Sequence, residues 1–307
     1  MSMITETLNG ATRHRSASDP RYSDNSINTS SWNPAQLHRF RREIEGPPRE
    51  VRSDLRQSTD QFVTQLAQQA LQHRAVRHPY LQALADGSLP NIRWALTDFA
   101  HHYYGYSAHF PRYLTTLISR LENPAHWRAL LENLTEESGV YAEDELRELS
   151  EIGVERAWIE GAPHPQLFQR FASALGVDST ANKEAVQVTC WRELFLQLLA
   201  NGSPAEAIGA LGFGTENIVR TLYGYFVKAL DSLGDLAPCD TVFFKLHTAV
   251  DDHHQASLRA IAVDFASTNE GRADLRRGML KALMLRSIFW DWMYERAIQP
   301  ELTEEIF

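Results

Sequence analysis

From residue 53 onward, apolar residues recur at the three-to-four-residue spacing of an α-helix in one segment after another. No segment shows the sustained strand alternation, bounded by hairpin turns, that a β-sheet requires. The predicted helices cover 54–77, 91–121 with a break near Pro111, 124–138, a short one within 140–160, 165–175, 182–200, 204–212, 214–232, 240–266 and 271–296. A chain of this kind buries its apolar faces only by packing helix on helix. The sequence therefore predicts an all-α fold, a single helical bundle whose core can host a metal site.

Residues 1–52 differ from the rest of the chain. They are rich in Ser, Asn, Thr, Arg and Pro, and their few apolar residues show no period. We interpret 1–52 as a mobile N-terminal extension and 53–307 as the helical domain. With 43% hydrophobic residues in 307, the chain has enough apolar surface for a full core.

Charge and cysteine content narrow the class of protein. The net charge is −9 and no long basic run occurs, which disfavours nucleic-acid binding. The sequence contains no apolar run long enough to span a bilayer and no apolar leader at its start. Cys190 and Cys239 are its only cysteines, which is not a disulfide framework. We expect a cytoplasmic protein that binds neither membrane nor nucleic acid.

The strongest local signal is a cluster of acids and histidines in the segment 243–254. On an α-helix, His247, Asp251 and His254 fall within about a 60° arc, on the same face as the apolar residues. The adjacent Asp252 and His253 are turned away from that arc. Two imidazoles and a carboxylate are a ligand set that suits iron or manganese. The alternative is a solvent-facing acidic helix, or an Asp–His pair whose members satisfy each other.

A second acid occurs near the end of the helix predicted over 124–138. Leu130, Leu134 and Glu137 share one face, whereas Glu136 falls on another. The spacing predicts that Glu137 points inward and Glu136 is solvated. Most helical glutamates are exposed, so a plain surface role is the alternative for both.

Two further residues are candidates of the same kind. Glu216 follows Thr215, a possible N-cap, and aligns with the apolar residues of the helix that follows. The alternative is a first-turn glutamate favoured by the helix dipole. His164 precedes Pro165 and opens a predicted helix, a place where an ordinary loop or capping histidine is also common.

These segments, in this order, resemble the haem-oxygenase-like diiron oxidases, which share a scaffold with haem oxygenase, thiaminase-like proteins and the coenzyme-PQQ synthesis protein. The family pattern has a Glu-x-Gly helix end, a His-Pro-x-Leu-type helix, a lone glutamate on a middle helix and a His-x-x-x-Asp-x-x-His helix. The matching elements are Glu137 with Gly139, His164 in HPQLFQRFASALG, Glu216 in GFGTENIVRTLY, and His247, Asp251 and His254. Upstream, HPYLQALADGSLP and DFAHHYYGYSAHFPRYL look like the first part of the same scaffold, so the resemblance covers roughly 55–265.

One feature departs from the family pattern. Family members usually keep the first glutamate and histidine close in sequence, whereas here Glu137 and His164 are separated by an insertion at about 140–162. The insertion is a candidate lid or substrate wall. It leaves His102 and His109, on the aromatic helix, as alternatives to His164.

The resemblance implies a haem-oxygenase-like bundle in which Glu137, His164, Glu216, His247, Asp251 and His254 hold two iron ions, with O₂ as co-substrate. It implies N-oxygenation or oxidative C–C cleavage, and we favour a small amine or amino-acid-derived substrate. An arginine such as Arg112 or Arg220 is a candidate for binding a substrate carboxylate. Four tyrosines are candidates for orienting the histidines: Tyr103, Tyr104, Tyr106 and Tyr223. The other expected partners are an external electron donor and a second copy of the chain in a homodimer.

Three alternatives remain open at this stage. A thiaminase-like or PQQ-synthesis-like enzyme on the same scaffold needs no diiron site. A haem-binding protein needs only one axial histidine. A non-enzymatic helical interaction protein leaves the inward acids without a purpose. Metal analysis distinguishes among them.

Overall fold

The computed structural model of the chain describes residues 33–36, 38–39, 58–178, 184–249 and 252–302, with the backbone alone at 249, 252–254 and 302. The predicted N-terminal extension lies almost wholly outside these ranges. Every regular element within them is helical, and they contain no strand, which confirms the all-α prediction. None of the described helices combines the length and the apolar character needed to cross a membrane.

Fourteen α-helices are numbered here in chain order from residue 58. They are α1 Thr59–Gln72, α2 Pro79–Ala85, α3 Ile92–Ser107, α4 Phe110–Ile118, α5 Pro124–Glu137, α6 Glu143–Glu151, α7 Arg156–Ile159, α8 His164–Ala174, α9 Val186–Asn201, α10 Pro204–Ile208, α11 Asn217–Leu233, α12 Val242–Ala249, α13 Asp252–Phe265 and α14 Asn269–Ile298. A π-helical segment, Gly209–Glu216, joins α10 to α11, and Pro300–Leu302 is a 3₁₀ turn.

Local signals explain where several helices begin. Ser58 caps α1 in a reciprocal capping box with Gln61, and the Asn91 side chain accepts from the backbone N–H of Trp94 at the start of α3. The break between α3 and α4 precedes Pro111, which lies in the first turn of α4, as predicted. Helix α2 was not predicted, because its seven residues are too few for a clear period.

The core of the bundle is aromatic. Phe99 on α3 lies at its centre, with its ring centroid 4.2 Å from that of Phe226 on α11 and 4.6 Å from that of Tyr103. The long helix α14 contributes Phe289 and Trp290, both buried. Of these aromatic residues, Tyr103 also lines the cavity described below.

The chain between 204 and 233 differs from the prediction of two helices separated near Gly212–Gly214. It is one continuous helical run whose middle, Gly209–Glu216, is π-helical. The glycines permit a close helix contact: a Cβ on Gly209 would lie 2.0 Å from the carbonyl oxygen of Leu275 on α14. The predicted N-cap at Thr215 is therefore wrong, and its hydroxyl donates instead to the carbonyl of Ala210, at 3.2 Å.

The segment 240–266 was predicted as one helix. The structure describes two helices there, α12 and α13, and residues 250–251 between them lie outside the described ranges. The insertion at 140–162 contains two helices, α6 and α7, where one was predicted.

Candidate metal centre

Glu137 is the last residue of α5 and His164 is the first residue of α8. The insertion between them closes on itself, because the N–H of Gly161 donates to the carbonyl of Gly139, at 2.8 Å. Gly139 has φ +83° and lies so near Ala162 that a Cβ would meet its backbone at 2.7 Å. The two ends of the insertion therefore touch, and the length of the insertion does not separate Glu137 from His164.

Glu137 and His164 form a buried pair. The His164 Nδ1 lies 3.0 Å from the Glu137 Oε1, and the two residues are 5% and 4% exposed, respectively. Glu137 points inward, as the helical spacing predicts, whereas Glu136 is half-buried.

His247, on α12, completes a group of three. Its imidazole centroid lies 4.7 Å from that of His164, and one ligand atom from each of Glu137, His164 and His247 lies within 4.8 Å of the other two. The His247 Nδ1 lies 2.7 Å from the carbonyl oxygen of Phe243, which can only accept. Nδ1 therefore carries the proton, and Nε2 keeps its lone pair for a ligand bond.

Glu216, at the end of the π-helical segment, is 5% exposed and lines one cavity with these three residues. The cavity, with its mouth, encloses about 430 Å³. The rest of its described lining is mostly aromatic and apolar: Tyr103, Tyr106, Ser107, Phe110, Pro165, Thr215, Val219, Tyr223 and Phe243.

The other two predicted ligands cannot be placed. Asp251 lies outside the described residues, and of His254 only the backbone is described, in α13. The shared face of His247, Asp251 and His254 assumed a helix that continues through 250–251, so it stays a prediction.

The two alternatives to His164 lie elsewhere. The His102 Nε2 is 3.4 Å from the Asp98 Oδ1, and the His102 ring packs edge-on against Trp292. His109 is beside Arg112 at the start of α4. The described lining of the cavity includes His164 and neither of these histidines.

A further side chain beside His164, Tyr141, comes from the insertion and was not predicted. Its hydroxyl forms a 2.9 Å hydrogen bond with the His164 Nε2. Burial, and then the charge of Glu137, raises the pKa of Tyr141, so it stays a neutral phenol. No periodicity marks Tyr141, because it lies in the loop that follows α5.

The four predicted tyrosines divide into two groups. Tyr103, Tyr106 and Tyr223 line the cavity, whereas the Tyr104 hydroxyl accepts a 2.5 Å hydrogen bond from the Gln169 amide and lies outside the described lining. Burial raises the pKa of Tyr223, and the neighbouring Tyr103 adds to that rise, so Tyr223 is a neutral phenol.

Both arginines suggested for substrate binding, Arg112 and Arg220, are exposed and lie outside the described lining. The buried arginine near the cavity is Arg286 on α14, which the sequence analysis did not single out.

The donor set fits iron. Two imidazoles and one carboxylate converge, a combination typical of non-haem Fe(II) sites. His164 carries the clearest sign: its Nδ1 is buried and, in the part of the chain that the structure describes, makes no hydrogen bond of acceptable geometry. A buried nitrogen of this kind is destabilising unless a ligand or metal occupies it. If Nε2 donates to Tyr141, Nδ1 carries a lone pair beside the Glu137 carboxylate, and these two groups would together hold a metal ion.

Comparisons with known proteins agree on the fold. A structure of a domain of unknown function with a heme oxygenase-like fold from Shewanella denitrificans has a TM-score of 0.56 at 16% identity, covering 78% of this chain and 91% of that one. A CADD-like protein of unknown function from Nostoc punctiforme has a TM-score of 0.61 at 17% identity, covering 78% and 98%. A TenA homologue from Pseudomonas syringae pv. tomato has a TM-score of 0.54 at 14% identity, covering 88% and 96%. At these identities the likeness shows the fold alone, which is haem-oxygenase-like.

A search of curated proteins gave no match. The sequence profile of one family, described as iron-containing redox enzymes, matches residues 97–287. The match includes Glu137, His164, Glu216 and His247, the four candidate ligands whose side chains the structure describes. This chain therefore belongs to the iron-containing redox enzyme family.

Proposed function

We propose that this protein is an O₂-dependent, non-haem diiron oxidase or oxygenase. Its substrate is a small amine or amino-acid-derived molecule, and its reaction is N-oxygenation or oxidative C–C cleavage. The observation that carries the proposal is the convergence of Glu137, His164 and His247, with Glu216, on one largely buried cavity in a member of an iron-containing family.

Glu137, His164 and His247 would hold one iron ion, and Glu216, Asp251 and His254 would hold the second iron ion. The bound iron would supply the O₂-activating chemistry. The chain itself supports the histidines: Phe243 orients His247 through its carbonyl, and Tyr141 orients His164 through its hydroxyl. Aromatic and apolar side chains line most of the rest of the cavity.

The cavity supports a small substrate. Its lining is mostly aromatic and apolar, with a few acids and histidines that could orient a small ligand. A small-molecule substrate and an external electron donor are part of the proposal. The homodimer and the cytoplasmic location stay predictions.

Iron analysis tests the proposal. Protein purified anaerobically and incubated with Fe(II) should bind two irons per chain, and Glu137→Ala, His247→Ala and Glu216→Ala should each lower that number. Glu132→Ala, an exposed glutamate on the same helix as Glu137, is the matched control and should bind iron like the wild type.

Two results would change the assignment. One iron per chain, lost in Glu137→Ala and retained in Glu216→Ala, would indicate a mononuclear enzyme with two histidines and one carboxylate. No iron uptake by the wild type would refute the proposal and leave a metal-free enzyme or an interaction protein on this scaffold. Oxygen consumption by the iron-loaded protein, screened with amines and amino acids, would then identify the substrate class.

A further inference from the structure

Asn217 lies where the π-helical segment ends and α11 begins. Its backbone N–H donates to the carbonyl of Gly212, five residues earlier, which is the π-helical spacing. Asn217 is 7% exposed, although asparagine is disfavoured in the interior of a helix. A buried amide is costly unless its polar atoms are hydrogen-bonded, so the partners of the Asn217 side chain decide what it contributes.

Two other helices supply those partners. The Asn217 Nδ2 donates to the backbone carbonyl of Ala67 on α1, at 3.0 Å, and the Gln255 Nε2 on α13 donates to the Asn217 Oδ1, at 2.5 Å. Because a carbonyl only accepts, the contact with Ala67 fixes the orientation of the Asn217 amide, with its nitrogen towards α1 and its oxygen towards α13. The amide therefore joins three elements that pack against one another: α1, α13 and the π-helical segment.

Candidate ligands stand directly beside this junction in the chain. Glu216, which precedes Asn217, lines the cavity of the metal centre, whereas Asn217 lines a separate, smaller cavity with Gln255 and Arg259. Consecutive residues of one helical run therefore face two different cavities. His254, a predicted ligand, directly precedes Gln255 in the sequence.

We propose that Asn217 is a positioning residue of the second iron site. Its amide, held by α1 and bonded to Gln255, keeps Glu216 turned towards the cavity and keeps the first turn of α13 against the π-helical segment. Metal ligands must be held to within about 0.5 Å, which requires support from the hydrogen bonds around them. The inference rests on the proposed function for the second iron ion, and it adds two residues that support the ligands from outside the cavity.

This role can be separated from ordinary stabilisation of the fold. Removing one partner of a buried hydrogen bond is destabilising, because the other partner is left unpaired. Replacing both partners by apolar side chains of similar size is nearly neutral for stability. The double variant Asn217→Leu/Gln255→Leu should therefore keep a Tm close to that of the wild type while it loses the positioning of Glu216.

Anaerobic Fe(II) titration of the full-length protein against a competing chelator tests the inference, because it gives the affinities of the first and second ions separately. Gln255→Leu and the double variant should bind the first ion like the wild type and the second ion about 10-fold or more weakly. Gln255 is only half-buried, so Gln255→Leu keeps the test available if the double variant does not fold.

Arg259→Met is the matched control. Arg259 lies one turn further along α13, lines the same small cavity, and donates through its Nη2 to the Thr64 Oγ1 on α1. Arg259→Met therefore also removes a hydrogen bond between α13 and α1, but away from the junction at Asn217. It should bind both ions like the wild type, and thermal unfolding of the metal-free proteins measures how much each variant is destabilised.

Wild-type affinity for the second ion in both leucine variants would overturn the inference. So would an equal weakening of both ions, or the same loss in Arg259→Met, since either would mean that these side chains only stabilise the packing of α13. If the wild type binds two ions and the leucine variants match it, the inference is lost and the proposed function is kept. If the wild type binds fewer than two ions, the proposed diiron function is lost, and with it the second site to which Asn217 is assigned.

Discussion

Replacing Gly139 by alanine should separate Glu137 from His164 without touching either residue. Gly139 has φ +83°, which an alanine adopts at a penalty of about 1–2 kcal/mol. The Cβ of the new alanine would also lie 2.7 Å from the Ala162 backbone, whereas ordinary contact begins at 3.4 Å. The two ends of the insertion must therefore move apart by about 0.7 Å (3.4 − 2.7). Ala162 is two residues before His164, so the displacement reaches the candidate ligand.

Gly176→Ala is the matched control. Gly176 follows α8, the helix that His164 begins, and it has φ +81° with nothing within 4 Å of its Cβ position. Gly176→Ala should therefore show only the cost of placing an alanine at positive φ. The overpacking in Gly139→Ala should add about 2 kcal/mol, or roughly 4–8 °C in Tm. A shift of 0.7 Å also exceeds the ~0.2 Å tolerance of a metal–ligand bond. Iron affinity should therefore fall in Gly139→Ala and be retained in Gly176→Ala.

Scanning calorimetry of the metal-free variants measures the first effect, and Fe(II) titration followed by chromogenic iron assay measures the second. If Gly139→Ala loses no more stability than Gly176→Ala and binds iron as tightly, then the closure at Gly139 does not hold the site together. That result would refute a role for the closed ends of the insertion in holding Glu137 beside His164.

Three further predictions concern other parts of the molecule. Tyr141→Phe removes the hydroxyl that is hydrogen-bonded to the His164 Nε2, so it should lower iron affinity about 10- to 100-fold with little change in Tm. Unchanged affinity in an Fe(II) competition titration would contradict a role for Tyr141 in orienting His164. Gly209→Ala should destabilise the protein, because the new Cβ would clash with the backbone of α14. Gly224→Ala, in α11 with nothing within 4 Å of the Cβ position, should stabilise the protein by about 0.5–1 kcal/mol. Urea unfolding that finds Gly209→Ala the more stable variant would contradict the close contact between Gly209 and α14. Burial alone would raise the pKa of Asp291, but hydrogen bonds from His78 and Arg74 hold the pKa at about 2. The ionised Asp291 carboxylate therefore stabilises the folded protein above pH ~4, and this contribution is lost as the pH falls towards 2. Asp291→Asn should flatten the pH dependence of the unfolding free energy in that window, measured by urea unfolding between pH 5 and 2.5.

Local features of the sequence predicted much of the fold. The helix predicted at 124–138 is α5, ending at Glu137, because its apolar period and the following Gly139 are both short-range signals. The same period predicted that Glu137 is buried. The break before Pro111 follows equally from the chemistry of one residue. Each of these depends on neighbours within a turn or two of helix.

The geometry of the candidate metal centre depends on contacts that no local sequence pattern contains. The sequence by itself determined the all-α class and nominated Glu137, His164, Glu216 and His247, partly through a family resemblance. Only the tertiary structure decided that the ends of the insertion meet, so that Glu137 and His164 lie 3.0 Å apart, and that Tyr141 and Arg286 support the cavity. The physical reason is the sequence separation of the contacts involved. Helix formation depends on side chains three and four positions apart, whereas the cavity forms where segments far apart in the chain pack together.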